Sequence, residues 1–194
     1  MMPGMILRSA CDAKGSELAK SNGQRQTELH VTNKKFDEIL ASNAAMLGRI
    51  AASYEAQPAA REDLLQDIAL ALWKALPQWR GEASVRSFVA RIAHNRCVSH
   101  IVTQKRHRHD GINEYEVIDH RAGPHDDAIS RHRYERLQKA LRRLPLGQRQ
   151  AVSLVLEVFS HAEIAATLNI GVNAVDARVS RARRALSGAL KEQP

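Results

Sequence analysis

The sequence is poor in cysteine and in aromatic residues. Cys11 and Cys97 are its two cysteines, which are too few for a disulfide framework and are not spaced as the C-x-x-C pair of a zinc ribbon. Aromatic side chains make up 4% of the 194 residues, whereas hydrophobic residues as a whole make up 44%. Because sandwiches and barrels depend on ring-rich strands, this composition favours helices. We therefore expect an all-α protein and not a secreted, disulfide-linked scaffold.

Long apolar runs are also missing. No uncharged apolar stretch approaches the ~18 residues that a membrane span requires. Near the start of the chain, Arg8 stands where a signal peptide would need an unbroken apolar core. We therefore expect a cytoplasmic protein that does not insert into a membrane.

Acidic residues are unevenly distributed along the chain. Lys and Arg total 29 against 21 Asp and Glu, which gives a formal charge of +8. Residues 128–194 hold 12 basic and 5 acidic side chains, whereas residues 107–127 hold 2 basic and 6 acidic ones. The basic excess therefore lies mostly in the C-terminal third.

The pattern of apolar residues divides the chain into segments. Residues 1–33 show no sustained period, so we expect a disordered tail, although an extension without a function of its own is an alternative. Residues 107–127 combine glycines, a proline and aperiodic acids, which is typical of a flexible linker. Apolar residues recur at helical spacing in residues 34–106 and 128–192. The sequence therefore predicts two small helical domains joined by a linker.

The first of these domains is predicted to contain three helices around one core. Pro58 follows the first helix, Pro77 ends the second, and Ser84 is placed to cap the third. The residues at helical spacing on the inner faces are Phe36, Ile39, Leu40, Leu47, Ile50, Ala51, Tyr54, Leu64, Leu65, Ile68, Leu72, Trp73, Leu76, Val85, Phe88, Val89, Ile92, Ala93 and Val98.

The second domain contains a predicted helix-turn-helix. Ser160 and Glu163 form the pattern of a capping box, in which each side chain accepts a hydrogen bond from a free backbone N–H at a helix start. A short helix, Ala162 to Leu168, follows, and Asn169 suits the left-handed conformation that ends a helix. Residues 169–171 separate it from a second, basic helix. Two short helices joined so tightly indicate a DNA-binding motif. Its predicted inward residues are Ile164, Ala165, Leu168, Val175, Val179, Ala182 and Leu186.

Four arginines project from the second helix of this motif. They are Arg178, Arg181, Arg183 and Arg184. A guanidinium group holds its donors in a fixed fork that fits both phosphate oxygens and the major-groove edge of guanine. A solvated basic helix end that favours its own dipole is the alternative. The capped helix and the tight turn before these arginines favour DNA binding.

Two sets of motifs occur in an order that resembles a known family. Residues 140–149, 160–165 and 175–183 resemble region 4 of extracytoplasmic-function sigma factors of the bacterial sigma-70 family. Residues 62–68 with Leu72 and Trp73 resemble region 2.2, and residues 79–84 and 91–97 resemble regions 2.3 and 2.4. In chain order the motifs read EDLLQDI, LW, WRGEAS, RIAHNRC, ALRRLPLGQR, SHAEIA and VDARVSRAR. The resemblance extends from about residue 36 to 190.

The resemblance implies a transcription initiation factor, which is not an enzyme and needs no cofactor or metal. Residues 34–106 would be region 2, a helical bundle that binds core RNA polymerase and the minus-ten element. Residues 128–192 would be region 4, a helix-turn-helix that binds the minus-thirty-five element. Members of the family are usually restrained by an anti-sigma factor. The expected partners are therefore core RNA polymerase, promoter DNA and an anti-sigma factor.

The resemblance also implies roles for individual residues. The polymerase contact would be made by Glu62, Asp63, Gln66 and Asp67. Minus-ten binding and melting would involve Trp79, Arg80, Arg91, Asn95 and Arg96, with Trp79 opposing base stacking and Asn95 lining the pocket of an extruded base. The minus-thirty-five element would be bound by Asn173, Asp176, Arg178, Arg181, Arg183 and Arg184. Without the resemblance, the acids would be read as a solvated face and Trp79 as half-buried core.

Asp176 departs from the family pattern, because the family often has a basic residue at its position in the recognition helix. A carboxylate there loses attraction to phosphate, but it can accept a hydrogen bond from cytosine N4. We therefore expect Asp176 to influence which minus-thirty-five sequence is preferred.

Two other functional classes deserve comparison with this hypothesis. A metal sensor would have to use residues such as His94, Cys97 and His100, whose spacing spreads them around a helix, or a weak site in the linker. The linker histidines are His107, His109, His120 and His125. Cys97 is better explained as a small buried hydrophobe. The main alternative is a two-domain helix-turn-helix regulator that acts without polymerase.

Overall fold

The structure, a computed structural model, describes residues 34–81, 83–109 and 125–191. The predicted tail, residues 1–33, lies outside the described residues. Most of the predicted linker also lies outside them, while residues 107–109 and 125–127 at its ends belong to helices. The helices are α1, residues 34–52, α2, Pro58–Ala75, α3, Val85–His109, α4, His125–Arg143, α5, Leu146–Leu156, α6, His161–Leu168, and α7, Val172–Lys191, with a 3₁₀ turn at Leu76–Gln78.

The described residues contain no strand, as the composition predicts. None of their helices is both long enough and apolar enough to cross a membrane. Among the described residues, the boundary between two units falls after Ala41, within α1. The described part of the first unit is the beginning of α1. The second unit holds the remainder of α1 and the other described helices.

Helices α2 and α3, with the part of α1 in the larger unit, enclose one apolar core. Pro58 is at the first position of α2, where its missing N–H costs no hydrogen bond. Ser84 caps α3, because the Ser87 N–H donates to Ser84 Oγ at 3.1 Å. Residues that the pattern places inside and that are buried include Leu47, Ile50, Leu64, Ile68, Leu72, Phe88, Val89 and Ala93. The periodicity therefore identified these buried positions correctly. Other residues that it places inside are half-buried, including Leu65, Trp73, Val85, Ile92 and Val98.

Helices α4 to α7 form a second cluster. Its centre is made by Leu141, Leu144, Val152 and Ala182, with Leu137 and Leu186 packed against it. Arg149 is also buried, and its Nη2 donates to the carbonyl oxygen of Leu144 at 3.1 Å, near the C-terminal end of α4. A cation at this position satisfies carbonyl groups that a helix end leaves unpaired.

Candidate nucleic-acid and polymerase interfaces

Helices α6 and α7 form the helix-turn-helix that the sequence predicts. The Glu163 N–H donates to Ser160 Oγ at 3.2 Å and the Ser160 N–H donates to Glu163 Oε2 at 2.8 Å, so both halves of the capping box are present. The hydrogen bonds from Ser160 hold the pKa of the Glu163 carboxyl below its ordinary value. Asn169 ends α6 in the left-handed conformation, with φ 52° and ψ 53°. These two ends set the entry into α7.

The recognition helix α7 buries one face and exposes the other. Val175, Val179 and Ala182 are at most 2% exposed. The predicted minus-thirty-five residues on the exposed face are Asn173, Asp176, Arg181, Arg183 and Arg184. Arg178 is half-buried instead. Its guanidinium lies against Gly147 of α5, because a Cβ atom built on that glycine would be 3.2 Å from Arg178 Cζ. The exposed face is polar and basic, as a surface that binds a DNA groove must be.

Asp176 has a partner that the sequence interpretation missed. Its Oδ1 lies 2.5 Å from Nδ1 of His161, the first residue of α6, and both side chains are exposed to solvent in part. The contact links the start of α6 to the first turns of α7. It orients the Asp176 carboxylate and occupies one of its acceptor positions, while the remaining ones can still accept from a base. The sequence held a signal for this pair, because a histidine starts α6 and an aspartate lies near the start of α7, which follows α6 after a short turn.

Trp79 lies in the loop before α3 and packs on an aromatic neighbour. Its ring centroid is 6.0 Å from that of Phe88 at an interplanar angle of 39°, and its Nε1–H donates to the Ala83 carbonyl oxygen at 3.3 Å. The Arg91 guanidinium is 5.9 Å from the centroid of the same Phe88 ring, within cation–π distance. The other predicted minus-ten residues, Arg80, Asn95 and Arg96, are exposed. Trp79 and Arg91 thus share one aromatic cluster.

The acidic residues predicted to contact polymerase lie on the solvent face of α2. Glu62, Asp63, Gln66 and Asp67 are all exposed. The same helix buries Leu64, Ile68, Ala71 and Leu72 on its inner face. The four polar side chains therefore form a continuous outer surface, available to a partner and not required by the fold.

The residues considered for a metal site are buried or contact other protein side chains. His94 is buried with its Nδ1 3.0 Å from the Tyr54 hydroxyl, and burial lowers its pKa to about 4. Burial raises the pKa of the Cys97 thiol to about 12. His100 Nε2 lies 2.9 Å from Glu55 Oε2. Within the described ranges, no three or more His, Cys, Asp or Glu residues are arranged to hold a metal ion. The side chains of His107, His109, His120 and His125 lie outside the described residues.

Comparison with known protein families identifies the family of this chain. The model for Sigma-70 region 2 matches residues 39–107, and the model for Sigma-70, region 4 matches residues 134–186. The chain belongs to the sigma-70 family. The two matched segments together make up more than half of this sigma factor, and we refer to them below as region 2 and region 4. The interval between them, residues 108–133, is shorter than an ordinary domain.

Relatives of this sigma factor assign it to the extracytoplasmic-function group. It is 29% identical over 153 residues to the ECF RNA polymerase sigma factor SigM of Mycobacterium tuberculosis, covering 78% of this chain and 75% of SigM. It is 28% identical over 161 residues to the RNA polymerase sigma factor NccH of Alcaligenes xylosoxydans xylosoxydans, covering 80% of this chain and 87% of NccH. The prediction of an extracytoplasmic-function sigma factor, which is not an enzyme, is confirmed.

Solved structures agree with the predicted fold. The sigma factor RpoE, in complex with the anti-sigma factor NepR from Bartonella quintana, superimposes with a TM-score of 0.67 at 26% identity, over 83% of this chain and 99% of RpoE. CnrH, in complex with the cytosolic domain of CnrY, superimposes with a TM-score of 0.61 at 23% identity, over 84% of this chain and 91% of CnrH. The predicted all-α fold with sigma regions 2 and 4 is therefore confirmed.

Proposed function

We propose that this sigma factor binds bacterial core RNA polymerase, directs it to specific promoters and helps to melt the minus-ten region. One observation carries the proposal. A single chain holds an exposed basic recognition helix, α7, and, before and along α3, an aromatic and basic surface that includes Trp79 and Arg91. The first suits duplex DNA and the second suits a separated strand. A regulator that binds only duplex DNA would need only the first.

The outer face of α2 supports the polymerase contact. On a chain with a formal charge of +8, an exposed surface with Glu62, Asp63 and Asp67 repels DNA and attracts a basic protein surface. Docking of core polymerase on this face leaves α7 and the Trp79 surface free for the promoter. The free energy of melting then comes from binding to polymerase and to the exposed strand, without nucleotide hydrolysis by this chain.

We also propose that an anti-sigma factor restrains this chain in the cytoplasm. RpoE and CnrH were both solved in complexes, with the anti-sigma factor NepR and with the cytosolic domain of CnrY, respectively. In this chain, Leu156, Val158 and Val172 of region 4 are 49%, 83% and 45% exposed. Large exposed apolar side chains suit a protein partner better than they suit water.

Transcription reconstituted from the purified chain, core RNA polymerase and a promoter library tests the proposed function. We expect transcripts only when both proteins are present, from promoters that share one minus-ten and one minus-thirty-five sequence. Replacement of Arg181 and Arg183 by Ala should reduce the dependence on the minus-thirty-five sequence, because both side chains lie on the exposed face of α7. Arg133→Ala, an equally exposed arginine of α4, is the matched control and should transcribe normally.

The alternative of a duplex-binding regulator gives the opposite result. It predicts tight binding to promoter duplex by the chain alone and no transcripts with core polymerase. That result would refute the proposal. Weak duplex binding by the free chain, combined with promoter-specific transcripts from the mixture, would support it.

A further inference from the structure

Region 2 and region 4 are joined through Glu157. This residue follows the last turn of α5 and is 5% exposed. Arg49 of α1 donates to it twice, from Nε to Oε1 and from Nη2 to Oε2, each at 2.7 Å. Arg86 of α3 donates to the Glu157 carbonyl oxygen and lies 4.7 Å from the ring centroid of Phe159. Arg49, Arg86 and Glu157 are called the latch below.

Two arginines of region 4 make contacts in the opposite direction. Arg142 Nη1 donates to the Ala52 carbonyl oxygen at 2.8 Å, and the Arg149 guanidinium lies 5.3 Å from the Tyr54 ring centroid. Each of these contacts between the regions therefore pairs an arginine with a polar or aromatic group of the other region. Contacts of this kind are weakened by salt and by competing partners, unlike the burial of an extensive apolar surface.

In this closed arrangement α6 lies beside one part of the minus-ten surface, at Arg91 of α3, whereas Asn95 and Arg96 on the same helix stay exposed. A cavity of about 360 Å³ lies between the two helices. Its wall includes Ser87, Phe88 and Arg91 from α3 and Ala162, Ala166 and Thr167 from α6. Thr167 Oγ1 is buried and has no hydrogen-bond partner within the described part of the chain. A DNA strand bound against Phe88 and Arg91 would need the space that α6 borders.

We propose that the latch closes the free chain, so that α6 of region 4 restricts DNA access to the part of the minus-ten surface around Phe88 and Arg91 until the latch opens. This inference rests on the proposed function of that surface. Glu157 provides the energetic bias. In the closed state its carboxylate is buried and depends on Arg49, whereas in an open state water would solvate both groups. Loss of Arg49 therefore penalises the closed state and leaves the open state almost unchanged.

The distance between the two regions tests the latch directly. Donor and acceptor dyes are placed on the full-length chain through Ala45→Cys in α1 and Ser187→Cys in α7, both exposed, with Cys11→Ser to prevent extra labelling. Single-molecule energy transfer should show one compact population for this labelled chain. Arg49→Met, which keeps the apolar stem of a half-exposed side chain, should increase the ratio of open to closed molecules roughly tenfold.

A matched variant and a salt series complete the distance experiment. Arg133→Met removes an exposed arginine of α4 that the latch does not use, and it should leave the distance unchanged. Glu157→Gln should open the chain like Arg49→Met, and the double variant should open it hardly further, because both remove one interaction. Raising the salt concentration should increase the open fraction of the labelled chain that keeps Arg49, because salt screens its contact with Glu157. The open fraction of Arg49→Met should change much less. Equal distances in Arg49→Met, Glu157→Gln and the control would overturn the proposal.

Binding of DNA tests whether the closed state restricts access to the minus-ten surface at Phe88 and Arg91. The probe is fluorescein-labelled oligo(dT) of about 15 nucleotides, within the ordinary range of single-strand sites. Arg49→Met should bind it more tightly than Arg133→Met, by about the factor by which the open fraction rises. A duplex of the same length serves as the control, because the exposed face of α7 does not depend on the latch. If the chain opens without binding the single strand more tightly, or if it binds the duplex more tightly by the same factor, the closed state does not restrict access to this surface.

Failure of this inference is distinguishable from failure of the proposed function. Both measurements use the chain without polymerase, whereas the transcription test uses the complete mixture. Suppose that the chain gives promoter-specific transcripts but that Arg49→Met changes neither the distance between the dyes nor the binding of oligo(dT). This result would overturn the latch alone. Suppose instead that Arg49→Met opens the chain but that the unmodified chain gives no transcripts with core polymerase. This result would overturn the proposed function alone.

Discussion

Single side chains of this sigma factor act through partners that are far away in the sequence. Glu157 is held by Arg49, and Asp176 is held by His161 at the start of the preceding helix. Each pair consists of complementary groups, but their types alone do not specify the pairing. The role of each residue therefore depends on which helices the fold brings together, and substitutions at these positions have defined consequences.

Asp176→Lys should change the preferred minus-thirty-five sequence. The carboxylate can accept a hydrogen bond from cytosine N4, whereas an ammonium group donates and prefers guanine or phosphate. Selection of promoter sequences by the reconstituted polymerase measures the change. Glu135→Lys makes the same charge change at an exposed position of α4 and should leave the preference unaltered. An unchanged preference in Asp176→Lys would show that Asp176 does not read a base.

Trp79→Ala should impair open-complex formation more than binding to core polymerase. The ring packs on Phe88 in the loop before α3, whereas the acidic surface predicted to contact polymerase lies on α2. Loss of a base–aromatic stacking platform costs roughly 1–3 kcal/mol per base. Permanganate reactivity of promoter thymines measures melting, and a premelted template should restore transcription. Equal losses of melting and of polymerase affinity would contradict the role of Trp79.

His94 should make the stability of the fold dependent on pH. Burial lowers its pKa to about 4 from an ordinary value of 6.5, so the unfolded chain takes up a proton in a pH range where the folded chain does not. The free energy of unfolding should therefore fall by about 3 kcal/mol between about pH 6.5 and about pH 4, and this contribution should then stay constant at lower pH.

Urea unfolding at several pH values measures the contribution of His94. His94→Asn should be less stable at pH 7, because it leaves a small cavity in the core, but it should lose much less stability on acidification. His132→Asn, at an exposed position of α4, should keep the full pH dependence. A variant His94→Asn with the same slope as the unmodified chain would show that other groups cause the acid sensitivity.

The ends of α5 and α6 are where local sequence determines local structure most clearly. The capping box of Ser160 and Glu163 forms as the four-residue pattern predicts. At the end of α5, the Val158 N–H donates to the Val155 carbonyl oxygen at 2.9 Å and the Phe159 N–H donates to the Leu154 carbonyl oxygen at 3.1 Å. This pair of bonds is a Schellman motif, which favours glycine at the position that Val158 occupies. The sequence gives no hint of this motif, because a β-branched residue there is unusual.

Val158→Gly should stabilise the protein. Val158 has φ 62° and is 83% exposed, so glycine removes a strained conformation while little packing is lost. We expect the free energy of unfolding to rise by about 1 kcal/mol and the melting temperature by about 2–4 °C. Calorimetry measures both. Val102→Gly, at an exposed position inside α3, should instead be destabilising, and a loss of stability in Val158→Gly would show that its side chain contributes packing.

Different surfaces of the described molecule carry different charges. The recognition helix α7 exposes arginines, whereas α2 exposes acids, and charged contacts join region 2 to region 4. A partner can therefore address one surface without the others. Net charge alone does not show this arrangement, because it follows from which face each helix turns to the core.

Asp63→Lys should weaken binding to core polymerase roughly tenfold, because reversing one charge in a complementary interface replaces an attraction with a repulsion. Asp63 is exposed on α2 and outside the core, so the fold should be retained. Titration of fluorescent core polymerase measures the affinity, and the effect should shrink as the salt concentration rises. Glu135→Lys on α4 is the control. Equal affinity of both variants would exclude Asp63 from the contact.

The amino-acid sequence by itself determined the helices, their apolar faces, the caps at Ser84 and Ser160, and the order of motifs that identifies the family. These features depend on neighbours a few residues apart, so periodicity and capping chemistry are sufficient to predict them. Only the tertiary structure decided that Arg178 lies against Gly147 and that Arg49 binds Glu157. The second pair is 108 residues apart. Contacts over such separations depend on how helices pack, and many arginines of this basic chain could have satisfied the same carboxylate.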